Sequence, residues 1–229
     1  MTNAANDIFW VISNYQQDPS EVVESLNGEY HVFNQGESPF IPHEIIESGR
    51  VSNSLHSGHN LSDYLQYIIQ NYRSLPSRVG FIKGNLFPRH ISKEIFLDRK
   101  LASGFVSLYG DLNTFSPQHR FQLPIFYMAQ QIAPGYYLEI TNNWYAKHRS
   151  IGQYYPLLDD LFLELFKKPA PKYILFVPGA CMIVPKENIT RWPLGLYQHL
   201  YEIVTYELFP VEAFHLERVM LYLFQFPKI

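Results

Sequence analysis

Three short runs rich in β-branched and aromatic residues, Ile8-Phe-Trp-Val-Ile-Ser13, Tyr30-His-Val-Phe-Asn34 and Val79-Gly-Phe-Ile82, are separated by segments with helical signals. This alternation narrows the available folds most. Between the first two runs, Asp18-Pro-Ser-Glu21 is a helix start, with Pro near the first turn and an acid following the cap. Between the second and third, Asn60-Leu-Ser-Asp63 opens a long helix in which Leu61, Tyr64, Leu65, Ile68, Ile69 and Tyr72 recur at i, i+3 and i+4. Such a stripe packs on a sheet. Strand, helix and strand in this order predict an α/β fold with a single Rossmann-like, mainly parallel sheet flanked by helices. Ligands of such sheets collect beyond the carboxyl ends of the strands, so the loops after Ser13, Asn34 and Lys83 are expected on one rim.

Further along, Ser92 is the expected cap of a helix over 93–100. Residues 104–156 are rich in Tyr, Phe, Gln, Asn and Pro without a clean period and are read as loops and short elements, an insert suited to binding an acceptor. Leu157–Lys168 is predicted as a helix, Tyr173–Val177 and Cys181–Val184 as strands, and 193–207 and 211–225 as closing helices. With 229 residues, no repeats and no low-complexity linker, one domain over 1–229 is expected.

Charge is uneven along the chain. The net value of -3 argues against a general nucleic-acid binder. Residues 1–75 hold only Arg50 and Arg73 against nine acids, whereas 78–100 hold Arg78, Lys83, Arg89, Lys93, Arg99 and Lys100 against Glu94 and Asp98. That segment is either the phosphate-facing region or a solvated basic face. No apolar run reaches the roughly 20 residues of a membrane span, and the first residues lack the basic end and apolar core of a signal peptide. Cys181 is the only cysteine, which excludes an intrachain disulfide and any cysteine-based zinc site. A cytoplasmic setting is the expectation.

In the last helix, Ala213, Glu217, Met220 and Phe224 fall on one stripe and set a carboxylate among apolar neighbours. Arg218, His215 or a ligand would partner it, and desolvation would suit it to general-base work. The plainer alternative is an ordinary surface Glu–Arg pair. His56 and His59 sit three residues apart, but two loop histidines without a third ligand are ordinary polar residues. Asn60 and Asp63 suit both helix capping and contact with a ligand at a helix start. A Walker loop, Gly-x-Gly-x-x-Gly after the first strand, a Gly-x-Ser-x-Gly elbow and His-Glu-x-x-His are all missing from the sequence.

Three segments, taken in order, resemble a family of glycosyltransferase-like proteins of bacteria, fungi and viruses recorded as a domain of unknown function. Tyr30-His-Val-Phe-Asn-Gln-Gly-Glu37 is similar to the family's strand ending in Tyr-Asn-Lys-Gly. His56-Ser-Gly-His-Asn-Leu-Ser-Asp63, running on to Val79-Gly-Phe-Ile-Lys-Gly-Asn-Leu-Phe-Pro-Arg-His90, is similar to its Asn-x-Gly-Arg-Glu helix start and its Gln-Gly-[Asn/His]-x-Phe-x-x-His strand end. Pro178-Gly-Ala-Cys-Met-Ile-Val-Pro-Lys-Glu-Asn-Ile189, then Pro193 to Tyr197, then His215-Leu-Glu-Arg218 complete the likeness.

The resemblance implies a GT-A-like nucleotide-sugar transferase, with the donor nucleotide over 1–100 and the acceptor over 101–229. It implies transfer of a sugar from a nucleotide diphosphate to a glycan or other acceptor hydroxyl, or, as the alternative, a non-catalytic carbohydrate- or nucleotide-binding module. Glu217 is the implied base and Arg218 its orienting or phosphate-meeting partner. Asn14, Asn34, Gly58, Asn60, Asp63, Lys83, Asn85, Arg89 and His90 are the implied donor site. Tyr136, Trp144, Tyr145 and His215 are the residues expected to face the acceptor. The chain departs from the pattern at His56, Gly58, His59 and Asn60, where the acidic member is replaced unless Asp63 serves one turn later. It has no Asp-x-Asp, and Asp111 of Asp111-Leu-Asn113 is the nearest ligand for a Mn or Mg ion.

Overall fold

The computed structural model describes residues 8–36, 40–111, 128–140, 143–148 and 151–226; Asn113 lies outside them. The elements follow in order as β1 (Ile8–Asn14), α1 (Ser20–Glu24), β2 (Tyr30–Gln35), α2 (His43–Glu47), β3 (Val51–Ser54), α3 (His59–Asn71), β4 (Arg78–Lys83) and α4 (Lys93–Arg99). Then come β5 (Val106–Ser107), β6 (Ala129–Ala133), β7 (Tyr136–Glu139), a 3-10 turn (Trp144–His148), α5 (Leu158–Phe166) and β8 (Ile174–Phe176). A second 3-10 turn (Pro178–Ala180), β9 (Met182–Pro185), α6 (Lys186–Thr190), α7 (Leu194–Thr205) and α8 (Val211–Phe224) complete the chain.

The main sheet has six strands in the order β3-β2-β1-β4-β9-β5. Its first four strands run parallel, in register Trp10↔Tyr30, Val32↔Val51 and Ile8↔Arg78, as their helical crossovers require. β9 returns antiparallel between β4 and β5. The sheet is therefore mixed on one side, and strands from both halves of the chain build it. A second, antiparallel sheet, β6-β7-β8, occupies part of the stretch read as loops.

β1 is the centre of the main sheet, and alternate side chains serve different layers. Val11 joins α3, α7 and α8 in one core, whereas Trp10 and Ile12 join α4 and β5 in the other. Trp10 lies against Gly80 of β4 and packs on Phe96 at 5.5 Å between ring centroids. The Ser92 hydroxyl caps α4 by accepting from the Ile95 amide, as its sequence suggested. No helix among the described residues is long and apolar enough to cross a membrane.

Candidate functional site

The carboxyl ends of β1, β2 and β4 open into a cleft of about 390 Å³. From the strand ends come Ser13, Gln35 and Lys83; from the loops beyond them come Tyr15, Gln17, Gly84, Asn85, Arg89 and His90. His56, Ser57, His59 and Asn60, around the start of α3, form one wall, and Leu208 and Phe209 form the lip. Two cations, three imidazoles and no carboxylate line this space, a composition suited to an anion. Of the basic segment 78–100, only Lys83 and Arg89 reach it. Arg78 donates to the Ala102 carbonyl, Lys93 lies 3.9 Å from Glu21, Arg99 pairs with Asp111, and Lys100 donates to the Ser25 carbonyl.

The wall at 56–59 is held by a left-handed pair, Gly58 (φ 67) and His59 (φ 54). A side chain at position 58 would meet the Val204 carbonyl oxygen at 2.5 Å, so glycine is required for the close approach as well as the turn. Gly58 thus shapes the wall and does not line the cleft. Ser57 ties the wall to the end of α7 and the turn beyond it by donating to the Val204 and Glu207 carbonyls. Ring contacts continue outward: Tyr15 stacks on His56 at 4.4 Å, and Phe209 lies edge-on to His56 and tilted over His59.

Asp63, expected at the donor, is fully buried behind the strand ends. Its Oδ2 accepts from Ser13 Oγ at 2.5 Å and from Gln35 Nε2 at 2.9 Å. Burial pushes this carboxyl up to about 7, against hydrogen bonds from Ser13, Ser54 and Gln35 that favour the ionised form. The acid therefore orients two cleft residues instead of touching a ligand. Asn14 and Asn34 are also buried and occupy each other, with Asn14 Nδ2 3.4 Å from Asn34 Oδ1 and 3.0 Å from the Gln17 carbonyl. They brace the rim from beneath. Lys83, Asn85, Arg89, His90 and Asn60 are the donor candidates that do face the cleft.

The turn after β8 connects this cleft to the last helix. Gly179 adopts φ 72, and its amide donates to Glu217 Oε1 at 2.8 Å while its carbonyl accepts from Asn60 Nδ2 at 3.0 Å. A Cβ there would stand 3.2 Å from His90 Nδ1 and 3.5 Å from Lys83 Nζ. Glu217 and the cationic wall are thus separated by one residue. Glu217 itself is 23% exposed, not enclosed among apolar groups as the stripe suggested. Arg218 is the buried member: Nε meets Glu139 Oε2 at 2.8 Å, Nη1 lies 3.6 Å from Glu217 Oε2, and the guanidinium packs 4.2 Å from the Tyr145 ring and 4.7 Å from Phe176. It orients Glu217 but does not line the cleft.

The expected acceptor residues do not form a surface. Tyr145 and His215 are buried and bonded to each other, hydroxyl to Nδ1 at 2.8 Å, and burial pushes His215 down to about 4, so it is neutral. Trp144 is half-buried with its ring edge-on to Tyr145, and Tyr136 lies in the second sheet, away from the cleft. Asp111 is saturated, with both oxygens on Arg99 at 2.9 Å and Oδ1 also accepting from Gln131 and the Gly135 amide. Its donor set does not fit a metal ion, and no group of three or more His, Cys, Asp or Glu side chains able to hold one occurs among the described residues.

Residues missed from the sequence include Gln35, Tyr15, Gln17 and Glu139. The first three adjoin strand ends already assigned to the rim, a signal that placed Asn14 and Asn34 but not their neighbours. No curated protein and no solved structure matches the chain. A family profile does, over residues 11–227, nearly the whole length: the chain belongs to the family described as "Protein of unknown function (DUF3431)".

Proposed function

We propose that the cleft holds the diphosphate of a nucleotide sugar, and that the protein is a transferase of GT-A-like type moving the sugar to an acceptor hydroxyl. The acceptor oxygen bonds to the anomeric carbon as the bond from that carbon to the diphosphate oxygen breaks. Glu217 takes the acceptor's proton, and the diphosphate leaves with its charge met by Lys83, Arg89 and the His90 imidazole. What supports this reading is the position of Gly179, whose peptide has a carboxylate on one side and a cationic, carboxylate-free cleft on the other. A second reading, nucleotide binding without transfer, draws on the enclosure of Tyr145 and His215, which removes the expected acceptor surface.

The experiment is a panel of nucleotides and nucleotide sugars, with and without Mn or Mg, scored by thermal stabilisation, followed by Glu217→Gln. Donor affinity is expected to hold within about threefold while donor turnover falls about 10²- to 10⁴-fold, the usual worth of a general base. Lost binding with unchanged turnover overturns the role of Glu217. Binding without turnover in the native protein favours the second reading.

A further inference from the structure

The floor of the cleft is polarised by the acid beneath it. Gln35 is buried at the end of β2, and its Nε2 donates to Asp63 Oδ2 at 2.9 Å, to the His59 carbonyl at 2.5 Å and to Ser62 Oγ at 3.3 Å. Both amide hydrogens are therefore committed behind the cleft. Rotating the amide by half a turn would press Oε1 against a carboxylate and a carbonyl, so the orientation is fixed by charge. Oε1 accepts no hydrogen bond from the described residues. Ser13 Oγ likewise directs its proton to Asp63 at 2.5 Å and keeps only lone pairs for a ligand.

These acceptors have flat neighbours. The Tyr15 ring, 44% exposed, lies on His56 with 21° between planes, Phe209 meets His56 edge-on at 6.1 Å, and all three line the same cleft as Gln35. Along the rim the pairings Asn14↔Asn34 and Ser13↔Lys83 set the strand ends in the order Gln35, Ser13, Lys83. At the usual strand spacing, Ser13 stands about 5 Å and Gln35 about 10 Å from Lys83, measured along the sheet. One end thus offers ring faces with acceptors in reach, and the other offers positive charge.

We infer that Gln35 Oε1 and Ser13 Oγ select a planar heterocycle that presents a ring N–H, so that uridine and guanosine diphosphates are preferred over cytidine and adenosine diphosphates. Cytosine and adenine carry an unprotonated acceptor nitrogen at that ring position, and two acceptors facing each other in a desolvated cleft repel. The inference rests on the anion-binding reading of the cleft and adds the class of base.

The test is calorimetric titration of the full chain at pH 8 with inorganic pyrophosphate and the four nucleoside diphosphates, repeated with Gln35→Met. Expected are binding of pyrophosphate, at least about tenfold tighter binding of the uridine and guanosine compounds than of the other two, and loss of that preference in Gln35→Met. Pyrophosphate binding with equal affinity for all four nucleotides overturns the base selection and leaves the anion site standing. No binding of pyrophosphate or of any nucleotide overturns both. The native panel decides the matter even if the variant does not fold.

Discussion

Replacing Arg218 with Met isolates the chemistry of the enclosed ion pair. The variant keeps an unbranched side chain between Tyr145 and Phe176 but leaves Glu139, fully buried, facing the place of its cation. Removing one partner of such a pair costs about 3–5 kcal/mol, because the remaining charge is neither hydrated nor compensated. At 2–4 °C per kcal/mol for a chain of this size, the melting temperature should fall by about 10 °C. A pH dependence should accompany the loss. Burial already raises the Glu139 carboxyl, and Arg218 opposes that rise, so without the guanidinium it should climb further. An acid whose folded pKa lies above its unfolded value destabilises the fold above that folded pKa, and the penalty disappears as pH falls toward the unfolded value. The deficit of Arg218→Met relative to the native chain should therefore be smaller at pH 5 than at pH 8, and adding Glu139→Gln should restore at least half of it. Denaturant unfolding followed by circular dichroism at the two pH values measures this. A deficit under about 1 kcal/mol, or one of equal size at both values, would refute the reasoning.

Gly58→Ala should destabilise by about 2 kcal/mol or more, since it sets a side chain in the left-handed region and against the Val204 carbonyl oxygen; an unchanged denaturation midpoint would contradict that contact. The native chain should lose stability as pH rises from about 4 to about 7, because Asp63 gives up its proton later in the folded state than in the unfolded one; Asp63→Asn should flatten this slope by a few kcal/mol in unfolding titrations. The Cys181 thiol, enclosed and pushed up to about 11 by burial, should react with a thiol reagent only as fast as the protein opens, which a comparison of native and denatured labelling rates measures.

The parallel strands and the long helix were legible because each carries its own period. Leu61, Tyr64, Leu65 and Ile68 are buried along one face of α3, and the runs at 8–13, 30–34 and 79–82 are the three inner parallel strands. β3 escaped because Val51–Ser54 is short and polar, an edge strand with little buried surface to impose alternation. The antiparallel return of β9 escaped because strand direction depends on partners far away in sequence. The same limit governed the site. Periodicity placed Glu217 and Arg218 on neighbouring faces of α8, but the residue that fixes Arg218 lies 79 positions earlier. Aromatic content suggested sugar-facing rings near Trp144 and Tyr145, whereas packing drew Tyr145 into the interior, the commoner fate of large rings. Asp63 was found as a helix-start acid, but its hydrogen bonds to Ser13 and Gln35 depend on which strand ends lie next to it.

The late arrival of β9 bears on how the chain is made. Until Met182–Pro185 leaves the ribosome, β4 has its β1 neighbour on one side and nothing on the other. At about 5–20 residues per second, the roughly hundred residues between Lys83 and Met182 leave that hydrophobic border open for several seconds in each nascent chain. Production in a host short of chaperones should yield insoluble material, and lower growth temperature or extra chaperone should recover it.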